Sequence, residues 1–506
     1  MRNPWFLLFA LLLVGVGLLA DDWEEIQKLL PSTVGEHDTF GRSVSISGDY
    51  ALIGAPYDDD GGVNAGSAYV FHRNGDIWTE QAKLIATDCA DRDLFGFSVS
   101  ISSDYLVVGA MDDDDNGYNS GSAYIFHRSG TIWTQQAKLT ASDGEERDYF
   151  GVSVSISGNH TIISSHWDDD NGYNSGSAYI FHRNGTTWTE QTKLTPSDGD
   201  ELDNFGHSVS ISGNYTVISS HRDDDNGDYS GSAYVFVRNA TTWIEQTKLT
   251  ASDGGTHDQF ANSVSIYDDY VLIGSPCDND LGEDSGSAYI FHRNGDTWTE
   301  QAKLTASDGS AWDFFGVTVS IFDDYAVICA IEDDDNGHDS GSAYVFQRDG
   351  DIWTEQVKLT ASDGSPDDLF GTSVSISGDY AIIGARYDDD NGDDSGSAYI
   401  FEHIATNIDD STPVLPQATA LLGVFPNPFN PTTTISFSVA ERQSATLEIF
   451  NLRGQLVKNY PAFAAGSHEV VWNGADNEGH SVASGVYFYR LQSGSVQRTL
   501  KMLLLK

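Results

Sequence analysis

One phenylalanine returns every 55 residues, at Phe40, Phe95, Phe150, Phe205, Phe260, Phe315 and Phe370. A glycine in a Gly-Ser-Ala-Tyr run keeps the same step from Gly66 to Gly396, and a tryptophan keeps it from Trp23 to Trp353. Seven copies without an insertion predict one structural unit repeated seven times. That overrides the ordinary expectation that a chain of 506 residues divides into about three unrelated domains.

Each unit reads as four short strands. In the second copy, FGFSVSIS (95–102) alternates Val99 and Ile101 with serines, the period of two of a strand. YLVVGA (105–110) is continuously apolar and is expected to be buried on both faces. GSAYIFHR (121–128) and TIWTQQAKL (131–139) are joined through Ser-Gly, and their counterparts through Asn-Gly, a hairpin turn signal. No stretch carries a helical period. An all-β fold follows: a seven-bladed β-propeller, and after it a small β-sandwich. The order of elements also predicts how the ring closes. A tryptophan strand precedes the first Phe-Gly strand, whereas the seventh unit ends at GSAYIF (396–401) with none after it. Residues 23–30 are therefore expected to form the fourth strand of the last blade and to remove an unpaired edge.

Acidic residues number 76 against 26 basic, a formal net charge of -50. With 39% hydrophobic residues the chain can still bury a core, so the charge does not imply disorder. It disfavours nucleic acid and anionic membranes, and favours cations or basic partners. Arg2 and the apolar run from Trp5 to Ala20 predict a signal peptide over residues 1–20. Cys89, Cys277 and Cys329 occupy non-equivalent repeat positions, so neither a disulfide framework nor a cysteine metal site is expected, and at least one thiol is free.

Antiparallel connectivity puts the loop between strands two and three on the same face as the connections between blades. That loop carries the acids. Asp58, Asp113, Asp168, Asp223, Asp278, Asp333 and Asp388 recur at its first position. Asp60, Asp115, Asp170, Asp225, Asp280, Asp335 and Asp390 recur two residues on, followed by a glycine. Calcium takes six to eight oxygens, often from alternating aspartates of a Gly-containing loop, so these fourteen residues are the candidate calcium ligands. The aspartate two before each phenylalanine, Asp38 to Asp368, is available to complete a site. The alternative is that all of them make turn hydrogen bonds to backbone amides. The opposite face receives Arg73, Arg128, Arg183, Arg238, Arg293 and Arg348, which predicts a molecule electrically polar from end to end.

No catalytic residue is expected. His166 and His221 read as loop histidines beside carboxylates. His72, His127, His182 and His292 read as solvated strand ends, and Trp167 and Trp312 as packed loop residues, with stacking on a sugar or a protein as the alternative.

The unit FG-x-SVSISGDY, followed by IGA, DDDNG, SGSAY and WT-x-Q-x-KLTASDG, resembles the FG-GAP repeat family of seven-bladed propellers, related to integrin α-subunit heads. The resemblance covers about residues 23–401 and implies a propeller domain over 21–401. It also departs from that family. Integrin-type repeats carry an Asp-x-Asp-x-Asp-Gly calcium loop between strands one and two, where this chain has only SGDY or YDDY. Blade 5 has Phe260-Ala261 for Phe-Gly, and blades 3 and 4 have Ser164-Ser165 and Ser219-Ser220 for Gly-Ala.

Residues 402–423 read as a linker and 424–506 as the sandwich. PNPFNPTTTI, SGVYFYRL and the apolar-basic end closely resemble the type A C-terminal sorting domain of the type IX secretion system. That resemblance implies the secretion machinery as a partner and an outer-membrane surface or extracellular location. The expected function is an exported, monomeric binding or adhesion propeller whose ligand is an extracellular protein or glycan, with calcium on its acidic face. A carbohydrate-active hydrolase or lyase using the acidic face is the alternative, and a calcium-stiffened surface-layer component a third.

Overall fold

The computed structural model describes residues 22–404 except 34, and 419–505 except 426, 441, 442, 461 and 495. The expected signal peptide and most of the expected linker lie outside the described residues. Two compact units result, a repeat unit and a C-terminal unit.

The repeat unit is seven four-stranded antiparallel sheets, with no helix among the described residues. Blade 2 is representative, with strands Phe95–Ser102, Tyr105–Ala110, Ser122–Ser129 and Ile132–Leu139 hydrogen-bonded in that order. Blade 7 is built from Phe370–Ser377, Tyr380–Ala385 and Ser397–Ile404, and its fourth strand is Asp22–Leu29 from the other end of the repeat unit. The ring closes as the order of elements predicts.

No blade has a core of its own. Seven apolar clusters each draw on two consecutive blades. In one, Leu52, Val70 and Leu84 of blade 1 pack on Phe95, Leu106, Tyr124 and Trp133 of blade 2. The recurrent phenylalanine is the hub: Phe95 is fully buried, its ring edge-on to Tyr124 at 5.4 Å and to Phe126 at 6.0 Å. The recurrent Gly-Ser-Ala-Tyr glycine has a steric cause. Gly121 lies at φ +81°, and a Cβ on it would stand 2.1 Å from the carbonyl oxygen of Phe150 in the next blade.

The serines of the first strand do more than fill its solvent side. The innermost strand of a blade is a sheet edge, with amides that have no strand to pair with. Serine hydroxyls of the preceding blade accept them: the Ile156 amide donates to Ser100 Oγ at 3.2 Å, Ile211 to Ser155 at 3.2 Å, and, across the closure, Ile46 to Ser375 at 3.1 Å. The blades are thus stitched to one another around the axis. On the outer side, Ser142 donates from N and Oγ to Glu190, and Ser362 does the same to Glu25 of the closing strand.

The face opposite the acidic loops is not a ring of free arginines. Arg128 donates to Asp104 and, at 3.0 Å, to the Tyr50 hydroxyl of the preceding blade. Arg73, Arg293 and Arg348 pair likewise with Asp49, Asp269 and Asp324, and Arg183 and Arg238 donate to Asn159 and Asn214. Each turn aspartate cancels the charge of the arginine beside it.

The C-terminal unit is a sandwich of two antiparallel sheets. One comprises Ala420–Phe425, Thr433–Val439 and Gly466–Trp472; the other comprises Thr446–Asn451, Leu456–Asn459, Gly485–Ser493 and Val496–Leu504. Phe437, Leu447, Ile449, Trp472, Tyr489 and Leu491 fill the space between them. Strands reach into both ends of the 402–423 stretch, to Ile404 and from Ala420.

Candidate functional site on the acidic face

The acidic loop and the connection between blades do lie together. In blade 2 the Phe95 amide donates to Ala65 O at 2.9 Å and Arg92 N to Val63 O at 2.7 Å, tying the connection to the acidic loop of blade 1. Within each loop the two recurrent aspartates have different surroundings. Asp113 is 2% exposed, whereas the side chain of Asp115 is 64% exposed. Asp113 Oδ1 accepts the Asp115 amide at 3.1 Å, the turn hydrogen bond expected as the alternative to a metal.

Asp113 Oδ2 holds a cation, and the cation is the protein's own. Lys138, from the fourth strand of the same blade, places Nζ 2.8 Å from Asp113, 2.5 Å from Asp115 and 2.9 Å from Asp88 of the preceding connection. The Tyr124 hydroxyl donates to the same Asp113 oxygen at 2.8 Å, and its ring lies 5.2 Å from the ammonium. The lock recurs in every blade. Lys193, Lys248, Lys303 and Lys358 engage Asp168 and Asp170, Asp223 and Asp225, Asp278 and Asp280, and Asp333 and Asp335. In blade 1, Lys83 engages Asp58 and Asp60, and Thr33 replaces the third carboxylate. In blade 7 the lysine is Lys28 of the closing strand, on Asp388, Asp390 and Asp363. Burial alone would lower Lys138, but hydrogen bonds to Asp113, Asp115 and Asp88 outweigh it and hold the ammonium well above its ordinary range.

This donor set does not fit calcium. An ammonium at the centre of three carboxylates is an interaction already satisfied, and a divalent ion would have to expel it. The aspartate two before the phenylalanine does not join the pair either. Asp93 accepts the Ala90 amide at 2.7 Å and closes its own loop, and Asp148, Asp203, Asp258, Asp313 and Asp368 do the same. All three cysteines are free thiols.

At the centre of the same face the copies stop being alike. The residue after each Phe-Gly (Phe-Ala in blade 5) is Arg42, Phe97, Val152, His207, Asn262, Val317 or Thr372. The residue after the second strand is Pro56, Met111, His166, His221, Pro276, Ile331 or Arg386. The first set, with Met111, His166, Ile331 and Arg386 of the second, meets at the axis over a cavity of about 520 Å³ lined by the first strands of all seven blades. His166 and His221 are therefore not beside carboxylates, because the second strand ends pointing inward. His166 and His207 have ring centres 6.1 Å apart, and His207 and His221 4.1 Å. Burial, with like charges nearby, lowers His166 to about 3 and His207 to about 4, so both rings are neutral at pH 7. Trp167 and Trp312, expected to be packed, are 37% and 49% exposed on this face. His72, His127, His182 and His292 are half-buried and lie against Tyr50, Tyr105, His160 and Tyr270.

The mouth was missed in the sequence because its positions look like noise in the repeat. Aligning the seven copies and asking where side-chain chemistry changes class would have found it.

No curated protein matches the chain. Residues 427–495 match the FlgD Ig-like domain, in keeping with the sandwich. Among solved structures, PorZ of Porphyromonas gingivalis, described as an essential bacterial surface component of the type-IX secretion system, aligns with 12% identity and a TM-score of 0.43. That alignment covers 94% of this chain and 61% of PorZ, so the chain spans less than two thirds of that protein's length. The FG-GAP repeat model matches seven times in register, at 23–71, 78–126, 133–181, 188–236, 243–291, 298–346 and 353–401. With every blade of the ring accounted for by that one model, the chain belongs to the FG-GAP repeat family.

Proposed function

We propose that this chain is an exported binding propeller whose ligand seats in the axial mouth of the acidic face. The observation that carries this reading is where the seven copies diverge. Strand cores, locks and opposite-face turns repeat almost unchanged, whereas the mouth positions run through Arg, Phe, Val, His, Asn and Thr. A cavity of about 520 Å³ lies within the range of small-ligand sites. Substitution at the mouth should abolish capture on a glycan and protein array, with Phe97→Ala and His207→Ala as the variants. Substitution on the far face, His127→Ala, should leave capture intact. Equal binding by all three variants would place the ligand elsewhere.

In the same reading the C-terminal sandwich is a type IX sorting domain, which would deliver the propeller to the outer surface or beyond. The support is its Pro-Asn-Pro-Phe-Asn-Pro opening at 426–431 and its SGVYFYRL strand. Deleting residues 424–506 should strand the propeller in the periplasm, and normal surface delivery of the truncated chain would refute the assignment.

The acidic ring is read as held by lysine and independent of calcium. Its support is the ammonium on each aspartate pair. Millimolar calcium should leave the melting temperature where a chelator leaves it, and a clear calcium-dependent rise would restore the fourteen aspartates as metal ligands.

A further inference from the structure

Arg42 of blade 1 and Arg386 of blade 7 both line the axial cavity, close enough for each to repel the other. Arg222 adds its charge to the histidine side of the same mouth. Every lysine of the locks has carboxylates, and the far-face arginines have aspartate or asparagine partners. Arg42, Arg222 and Arg386 make no ion pair among the described residues; Arg42 lies over the Phe97 ring at 4.5 Å, Arg222 over Tyr229 at 5.8 Å and Arg386 over Tyr387 at 4.7 Å. Arg386 Nε is buried without a hydrogen-bond partner, as are the Nε atoms of the far-face arginines. So is Nδ1 of His221, a residue only 6% exposed, and so is Nδ1 of His166.

In a chain with 76 acidic residues, two neighbouring guanidinium groups left without a carboxylate are a cost the fold does not relieve. A guanidinium presents a planar fork that matches a carboxylate in two parallel hydrogen bonds. Around the arginines the cavity offers the Phe97 ring, neutral imidazoles, and the side-chain oxygens of Thr372 and Asn262 as acceptors, the Thr372 hydroxyl donating to Leu369 O at 2.8 Å and the Asn262 amide to Val317 O at 3.0 Å. An apolar wall with several neutral hydrogen-bonding groups suits a polyhydroxylated ring. The surrounding locks, each with more carboxylates than ammonium, would repel a densely charged polymer.

We infer that the axial mouth binds a sugar bearing a single carboxylate, with the carboxylate on Arg42 and Arg386 and the ring against Phe97. This rests on the reading of the mouth as the ligand site. At neutral pH each histidine then offers one donor and one acceptor nitrogen, and the charge of the site comes from arginine alone.

Isothermal titration of the full chain with D-glucuronate, N-acetylneuraminate, D-glucose, sulfate and a Glu-rich pentapeptide tests the inference. One or both acidic sugars should bind, with glucose and sulfate at least about tenfold weaker, and Arg42→Gln or Arg386→Gln should each weaken binding about tenfold or more. Both variants should melt at or above the parent temperature, because each removes a like-charge contact, so a loss of binding is not a loss of fold. Peptide binding that depends on the arginines, or binding of sulfate alone, would overturn the sugar assignment. Binding of glucose that Phe97→Ala abolishes but Arg42→Gln spares would overturn the anion and keep the mouth. No binding of any probe overturns the inference, and array capture that survives Phe97→Ala overturns the mouth itself.

Discussion

Lys28 Nζ stands 2.8 Å from Asp388 Oδ2, a contact between residues 360 apart in the chain. It is the same bond that Lys138 makes to Asp113 within one blade, over 25 residues. The closing strand therefore delivers the lysine of a lock as well as the third ladder of backbone hydrogen bonds in its blade.

Replacing Lys28 with Met should cost about 3 kcal/mol, because it leaves the buried Asp388 carboxylate without its partner. Lys138→Met breaks an equivalent lock inside a blade and should cost a similar amount. The two should differ in kinetics: Lys28→Met loosens the strand that closes the ring, so its unfolding rate in denaturant should rise further. Equal unfolding rates would show that closure does not govern opening.

The fold should be more stable in mild acid than at neutral pH. Burial lifts Asp93, Asp203, Asp313 and Asp368 to about 6 and Asp148 to about 7. A carboxyl raised in the folded state binds its proton there first, so stability is gained as pH falls through the folded value toward the unfolded one. In the locks, burial of Asp88, Asp143, Asp198, Asp253, Asp308 and Asp363 is outweighed by the lysine hydrogen bond, and each is lowered. Their contribution is lost only in stronger acid. The melting temperature should climb between about pH 8 and about pH 5 and drop below about pH 4 at fixed ionic strength. A steady fall from pH 8 to pH 5 would contradict the assignment.

Ala261 occupies the glycine position of the Phe-Gly pair at φ +69°, where the six glycines lie between +90° and +98°. A left-handed backbone costs a residue with a Cβ about 1–2 kcal/mol, partly offset by the greater freedom of glycine in the unfolded chain. Ala261→Gly should therefore stabilise by about 0.5–1 kcal/mol, read from chemical denaturation.

The serine stitching can be cut singly. Ser155→Ala leaves the Ile211 amide without its acceptor and should cost about 1–2 kcal/mol, whereas Ser155→Thr, which keeps the hydroxyl, should cost less. Equal losses would point to side-chain size rather than the hydrogen bond.

The strands were legible because hydrophobic alternation and tight turns are local signals, repeated seven times. Closure was legible because Trp23 precedes its own Phe-Gly strand and no tryptophan strand follows Phe401. The locks were not, since Lys138 meets Asp115 only through strand pairing, 23 residues away in sequence. Yet Lys28 to Lys358 keep the same 55-residue step, a recurrence that was available in the sequence and that attention to the acids alone passed over. His166 and His221 were misplaced for a related reason: local sequence shows their acidic neighbours, while strand direction turns them toward the axis.

The closing strand also sets a timetable. Asp22–Leu29 can pair with nothing but Ser397–Ile404, the last strand of the ring to be made. However early the first blades form, the first strand waits with an open edge for some 370 residues of chain to arrive, and a contact so distant in sequence forms late. Until then the ring is an arc, with the Phe40 and Trp23 sides of its two end interfaces still wet.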